Sequence, residues 1–256
     1  MKKLLTKLTA ALLICFTALM IVPVSVLQVQ AAAPTVDKRI NAMYYPKSPA
    51  NSTYWFGINI SNRTKKGKIT NVKVENKDVV EVWVYDGKKS ISYRTKRAGR
   101  SKVSFKYAGK TLSTTIYVEE YKNPCKKFMV GKKNYKGYFD KSGYYIQETH
   151  SKKEVTKEIN VQAASGWKIV GLYCQKDGQF NMRKIKNNSK IKLKSTGIGT
   201  DIGVIFQNTK TKKKEMLRYK YGYDWTGGNE YRSRDDIQLD MDIMVQSANS
   251  PSDALN

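Results

Sequence analysis

The chain is poor in the residue types on which most enzymatic chemistry depends. It has one histidine, His150, in a polar stretch between Thr149 and Ser151. A Ser–His–Asp or Cys–His site would have to use that side chain, because a nucleophile needs a base within hydrogen-bond reach. A lone histidine among lysines reads as solvated. Cysteine is scarce too: Cys15, Cys125 and Cys174. Cys15 falls in an N-terminal apolar run, which leaves two cysteines and one histidine, short of a tetrahedral zinc set. No metal and no other cofactor is expected. Acidic residues number 21 against 47 basic ones. Glu81, Glu148, Glu154 and Glu158 are the candidates for the carboxylate pair of a glycosidase. No motif joins them, and each reads as the solvated partner of a lysine. No stretch carries a convincing apolar stripe at helical spacing, which argues against a helical bundle or an alternating strand–helix fold.

One long apolar run is present, and it stands at the start. Lys2, Lys3 and Lys7 precede residues 8–29, broken by Pro23 and closing on Ala31-Ala32-Ala33. That order is a secretory signal peptide over 1–33, with cleavage expected after Ala31 or Ala33. An uncleaved anchor is the alternative, since the run nearly suffices to span a bilayer. With cleavage, Cys15 leaves with the leader, no integral span remains, and the expected location is secreted or extracellular, associated with the cell envelope.

Without the three leader lysines, the net charge falls from +26 to +23. Residues 34–120 hold +11, residues 121–228 hold +16 and residues 229–256 hold −4. The basic charge is therefore a property of the whole body. Such a field attracts polyanions and is screened by salt.

Elsewhere the apolar period is two, the signature of strands. Val80, Val82 and Val84 share a face, as do Val103, Phe105 and Tyr107, and Leu112, Thr114, Ile116 and Val118. Turn signals separate them at Lys66-Gly67, Asp86-Gly87, Ala98-Gly99 and Ala108-Gly109. Later strands are expected over 135–139, 144–147, 155–162, 167–175, 180–185, 190–194, 202–208 and 215–221. A final alternating run places Ile237, Leu239, Met241, Ile243 and Val245 on one face and Asp236, Asp240 and Asp242 on the other. With Asp235, these aspartates lack the spacing and turn glycine of a calcium loop, so the reading is an exposed acidic strand face.

Short strands at this spacing give an all-β chain: two tandem immunoglobulin-like β-sandwich domains after a signal peptide. The expected division is a linker over 34–53, a first sandwich over 54–121, a second over 122–245 and a disordered tail over 246–256. Pro124 marks the boundary, because proline cannot donate to a central ladder.

The segment Ile69-Thr70-Asn71-Val72-Lys73-Val74-Glu75-Asn76-Lys77-Asp78-Val79-Val80-Glu81-Val82, followed by Lys96-Arg97-Ala98-Gly99-Arg100-Ser101-Lys102-Val103-Ser104-Phe105 and Gly109, resembles the bacterial Ig-like domain of group 2, the invasin/intimin-like type. Asn76 and Gly99 occupy that family's Asn and Gly-turn positions, and the resemblance covers about 54–120. Ser165-Gly166-Trp167-Lys168-Ile169, Lys184-Ile185-Lys186-Asn187 and Ile205-Phe206-Gln207-Asn208-Thr209-Lys210-Thr211 resemble, less closely, β-sandwich modules that accompany such domains in secreted Gram-positive proteins. The resemblance implies display, spacing or adhesion at a cell surface, with no catalytic residues.

The expected function is a non-enzymatic binding or adhesion module. Its candidate binding residues are Lys132, Lys133, Lys152, Lys153, Lys212, Lys213 and Lys214, on turns expected to cluster at one end of the second sandwich. The expected partners are anionic cell-wall polymers or acidic surface glycans. A protein partner is the second class, and nucleic acid is incidental. A structural spacer or assembly subunit is the alternative, and an unrecognised hydrolase the third reading. Cys125 and Cys174 are a candidate disulfide, with a buried free thiol at Cys174 as the rival.

Overall fold

Hairpin chemistry sets the first sheet. In a computed structural model, which describes residues 32–48, 55–85, 87–151, 153–175, 182–196, 199–222 and 234–249, Ala108 and Gly109 both have positive φ, at 48° and 77°. Two successive left-handed residues make the tight turn whose twist matches paired strands. The signal-peptide reading lies, but for Ala32 and Ala33, outside the described residues, and so does the 250–256 end of the expected tail.

The first nine strands are β1 (Thr35–Val36), β2 (Arg39–Tyr44), β3 (Phe56–Gly57), β4 (Ile60–Ser61), β5 (Ile69–Val74), β6 (Val80–Tyr85), β7 (Ser90–Thr95), β8 (Gly99–Tyr107) and β9 (Lys110–Glu120). They form a four-stranded sheet, β2-β9-β8-β5, a three-stranded sheet, β3-β7-β6, and a small β1-β4 pair. Val80, Ile91, Val103, Phe105 and Ile116 fill the core these strands enclose. Among these described strands, β2 alone runs parallel to its neighbour, β9. Taking β2, β3, β5, β6, β7, β8 and β9 as A′, B, C, D, E, F and G, the sheets read A′-G-F-C and B-E-D, the immunoglobulin order. The motif residues have local roles. Asn76 accepts the Asp78 N–H at 3.1 Å. Gly99, at φ 145°, lies so close to Val79 that a Cβ would meet its Cγ2 at 2.8 Å.

The rest of the chain adds β10 (Cys125–Val130), β11 (Lys133–Asn134), a 3₁₀ turn (Tyr138–Asp140), β12 (Tyr144–Gln147), β13 (Val155–Ala163), β14 (Trp167–Gln175), β15 (Met182–Lys184), β16 (Ser189–Leu193), β17 (Thr200–Asn208), β18 (Lys214–Tyr221) and a helix, α1 (Arg234–Asn249). The sheets are β11-β10-β13-β16 and β12-β18-β17-β14-β15. With β10, β12, β13, β14, β15, β16, β17 and β18 as A, A′, B, C, C′, E, F and G, they read A-B-E and A′-G-F-C-C′, again an immunoglobulin order. Phe128, Ile159, Val161, Val204, Phe206 and Tyr219 lie between them.

Three expectations change. The run at 237–245 is helix, not strand. Ile237, Met241 and Met244 are buried at helical spacing, while Leu239, Ile243 and Val245 face outward. The alternation fits both periods, and Met244 is the residue that only the helix explains. This helix continues to Asn249, into the expected tail, and packs on β2, β15 and β18. Gly203 makes room for it, since a Cβ there would meet Met244 Sδ at 2.3 Å. Residues 35–44, expected as linker, form β1 and β2. The strand expected at 135–139 is instead a turn that buries Tyr135 and Phe139, four residues apart.

Residues 34–256 form one compact unit. Met43, Tyr45 and Tyr121 belong to the second core, not the first. The Tyr121 N–H donates to Tyr44 O at 2.8 Å, and Thr95 Oγ1 donates to Met43 O at 3.1 Å. Asn123 pins the connection by donating to Asp140 Oδ1 at 3.0 Å and accepting the Cys125 N–H at 2.9 Å.

Candidate binding site

The inward face of β13 carries Val155, Lys157, Ile159 and Val161 in alternation, so a lysine stands where a core residue would. It does so at the mouth of the sandwich, where Val155 pairs with Leu193 at the ends of β13 and β16. There the sheets part around a cleft of about 350 Å³, lined by Lys132, Lys133, Lys157, Tyr135, Tyr219 and Tyr221 among others. Its wall is a closed hydrogen-bond set: Gln147 Oε1 accepts from Tyr219 OH at 2.6 Å and from Tyr135 OH. Burial, reinforced by the neighbouring tyrosines, pushes the Tyr219 phenol far up, so it remains a neutral donor. Lys133 Nζ sits 4.9 Å from the Tyr135 ring centroid and 5.6 Å from that of Tyr138. Ring faces thus steady one cation at the rim. Gly131, at φ 61°, lets the Lys157 stem pass over it, for a Cβ there would meet Lys157 Cδ at 2.9 Å.

The cleft is therefore lined by three lysines, and the Lys133 ammonium stands over tyrosine rings. It suits an anionic group carried on a partly apolar body. Lys157, Tyr135, Gln147, Tyr219 and Tyr221 were not among the candidates read from sequence. The inward lysine on β13 was the available signal.

The candidate lysines do not form one cluster. Lys132 and Lys133 line the cleft, and Lys153 is exposed in the loop leading to Val155 at the same end. Lys152 lies outside the described residues. Lys212, Lys213 and Lys214 occupy the opposite end, on the β17–β18 turn, where the Thr209 N–H bonds to Gly166 O. Lys214 opens β18 and Tyr221 closes it. At about 3.3 Å per residue they stand about 23 Å apart. Lys213 is also engaged, pairing with Glu119 and, at 3.1 Å, with the buried Glu215. The expected single patch is thus split, because antiparallel pairing sends successive turns to opposite ends.

Cys125 on β10 and Cys174 on β14 are both buried and no bridge joins them, the Cys174 thiol donating to Gln175 O at 3.3 Å. They stand on the two facing sheets of the second sandwich. Burial pushes the Cys125 thiol up to about 12. His150 is exposed between β12 and β13. Of the acidic candidates, Glu81 pairs with Arg94 in the first sandwich, and Glu154 with Lys194 in the second. Among the described residues, no group of three or more His, Cys, Asp or Glu side chains could hold a metal. Asp240 pairs with Arg218 at 2.6 Å, and Asp242 accepts from Gln238 at 2.9 Å. No helix among the described residues is long and apolar enough to cross a membrane.

No family model matches the chain, and no curated protein matches it in sequence. Several solved structures align with it. Domains 4–9 of the surface layer protein SbsC align at 8% identity and a TM-score of 0.28, over 75% of this chain and 31% of that one. The D00-D0 domain of intimin aligns at 10% identity and 0.25, over 75% of this chain and 100% of that one. Fibronectin(III)-like modules of Clostridium thermocellum CbhA align at 12% and 0.29, over 74% and 94%. At these values no residue's role passes to this chain.

Proposed function

We propose that the chain is a non-enzymatic module, exported and held at a cell envelope, that binds an anionic envelope polymer through the cleft of its second sandwich. In this reading the two sandwiches are tandem Ig-like domains meeting near residue 122, the first of the invasin/intimin-like type. The observation that carries it is the convergence of Lys132, Lys133 and Lys157 on one aromatic-walled cleft. The lysines would pair with phosphate or carboxylate groups, and Tyr138, which is exposed beside Lys133, would pack the apolar face of the polymer unit. Because the rim cations are exposed, binding would weaken with salt over a Debye length of about 8 Å at physiological ionic strength.

The test is retention of the purified chain on isolated cell wall, with and without its anionic polymer, at low and high salt. Retention that needs the polymer, falls with salt and is reduced about tenfold by Lys132→Gln with Lys133→Gln supports the reading. Retention indifferent to all three leaves the basic charge as solubility. A spacer role then takes its place, favoured by the shared packing of Tyr45 and Tyr121 between the sandwiches.

A further inference from the structure

The outer face of the β3-β7-β6 sheet carries large aromatic side chains where a solvent-facing sheet is ordinarily polar. Trp83 is 59% exposed, Tyr85 41% and Trp55 38%. Isolated exposed apolar residues need no explanation, but a contiguous group marks an interaction surface. These are contiguous. Trp55 and Trp83 have ring centroids 6.5 Å apart, and the Arg94 guanidinium stands 5.1 Å from the Trp55 ring.

Register explains how the rings lie. Across the sheet, Trp83 pairs with Ser92, and Ser92 with Gly57. Ser92 is only 1% exposed although it belongs to the outer face. Its larger neighbours lie across it, and its hydroxyl shares a 2.7 Å hydrogen bond with Tyr85 OH. A Cβ at Gly57 would meet Asn59 Oδ1 at an ordinary contact distance of 3.7 Å. Ser92 is thus small enough to be covered by its larger cross-strand neighbours.

The face is also electrically balanced. Its charged groups on these three strands are Glu81 and Arg94, cross-strand partners that are joined by Arg94 Nη2 and Nε donating to Glu81 Oε2 at 2.6 and 2.9 Å. In a chain of net charge +26, a face that cancels its own charge selects an uncharged ligand. Flat aromatic rings beside a carboxylate–guanidinium pair match the two sides of a sugar: C–H groups over the π-faces and hydroxyls toward the ion pair.

We propose that this face is a binding platform for a neutral polysaccharide chain. It shares no residue with the lysine cleft, so either site can fail without the other. The experiment is native affinity electrophoresis of the whole chain through gels containing soluble xylan, mixed-linkage β-glucan, mannan or chito-oligosaccharide. The expected result is retardation by at least one of these that survives high salt and is unchanged by Lys132→Gln with Lys133→Gln. It should weaken about tenfold or more in Trp83→Ala, as for a central aromatic anchor, and partly return in Trp83→Phe. Trp83 is exposed, so its replacement should leave the far-ultraviolet circular dichroism unchanged. Trp55→Ala gives a second reading at an independent position. Retardation by none of the four, retardation lost with salt, or retardation unaffected by both tryptophan substitutions would overturn the proposal. Loss of a protein contact in Trp83→Ala without any saccharide retardation would overturn it as well, in favour of a protein partner.

Discussion

The ring of Tyr121, the residue after the last strand of the first sandwich, lies 4.8 Å from that of Tyr45 and sends its hydroxyl into the second sandwich, where it donates to Phe139 O at 2.8 Å. Burial, with Tyr45 and Glu215 alongside, pushes its phenol well up, so it remains a neutral donor. Tyr121→Phe removes the donor and strands a buried carbonyl, at a cost of about 1–3 kcal/mol. Tyr121→Ala also opens a cavity and should cost about 3–5 kcal/mol, the range for a large aromatic. Urea denaturation measures both. Tryptic cleavage after Lys122 should be slow in the parent chain and faster in Tyr121→Ala. Equal cleavage rates would mean that the connection is free of the packing.

The two buried cysteines make a prediction about redox behaviour. With Cys125 pushed up to about 12, little of it is thiolate at neutral pH, and the thiolate is the reactive form. In air-exposed protein prepared without residues 1–33, which carry Cys15, two thiols should titrate after unfolding and almost none before. Reductant should leave the melting temperature unchanged. Two thiols missing after unfolding would establish a bridge between Cys125 and Cys174.

Strands were legible in the sequence where both period and burial agreed. β14 falls at 167–175 as expected, and Val103, Phe105 and Tyr107 are inward as their alternation implies. Pairing was not legible. β2 reads as linker because its place beside β9 comes from parallel contact with a strand more than seventy residues away. The helix at 234–249 was misread because Ile237 and Met241 satisfy period two as well as period four. The lysine cleft was half legible. Lys132 and Lys133 stood out as a pair, whereas Tyr219 and Tyr221 looked like ordinary core positions of β18. Only the sheet order shows that both line the cleft at the mouth of the sandwich.

That helix is held by a partly buried ionic set. Arg218 bonds to Asp201 and, through Nη1, to Asp240 at 2.6 Å, while its guanidinium stands 5.3 Å from the Tyr144 ring. Burial disfavours the Arg218 charge, but Asp201 outweighs burial and raises its pKa. Arg218→Ala leaves carboxylates without their counter-charge and should cost about 3–5 kcal/mol. Asp240→Asn keeps the shape and should cost less. Thermal melts rank the two, and the reverse order would mean that Asp201 and Asp240 do not depend on this guanidinium.

Acid should weaken the connection between the sandwiches. Burial opposes ionisation of Asp140, but bonds from Lys136 at 2.7 Å and Asn123 at 3.0 Å outweigh it and hold the carboxyl below its ordinary value of 3.8. A folded-state value below the unfolded one gives stability that is present above the ordinary range. That stability is lost as pH falls through the lower, folded value. Asp140→Asn should therefore be less stable than the parent at pH 6 and should approach it below about pH 3. A constant difference across that window would assign the loss to packing instead.

The last prediction separates the two lysine groups. Lys213 pairs with Glu119 of the first sandwich and with Glu215, whose side chain is only 3% exposed. Lys213→Gln removes a charged partner from a buried carboxylate, so it should destabilise the chain by about 1–3 kcal/mol. It should not alter retention on anionic polymer, because its charge is already engaged. Lys132 and Lys133 are exposed at the cleft. Their replacement should change stability by less than about 0.5 kcal/mol each and should lower both retention and its salt dependence. Paired measurements of urea midpoint and polymer retention on these variants give opposite patterns if the cleft is the site. Loss of retention in Lys213→Gln without loss of stability would move the binding surface to the other end of the sandwich.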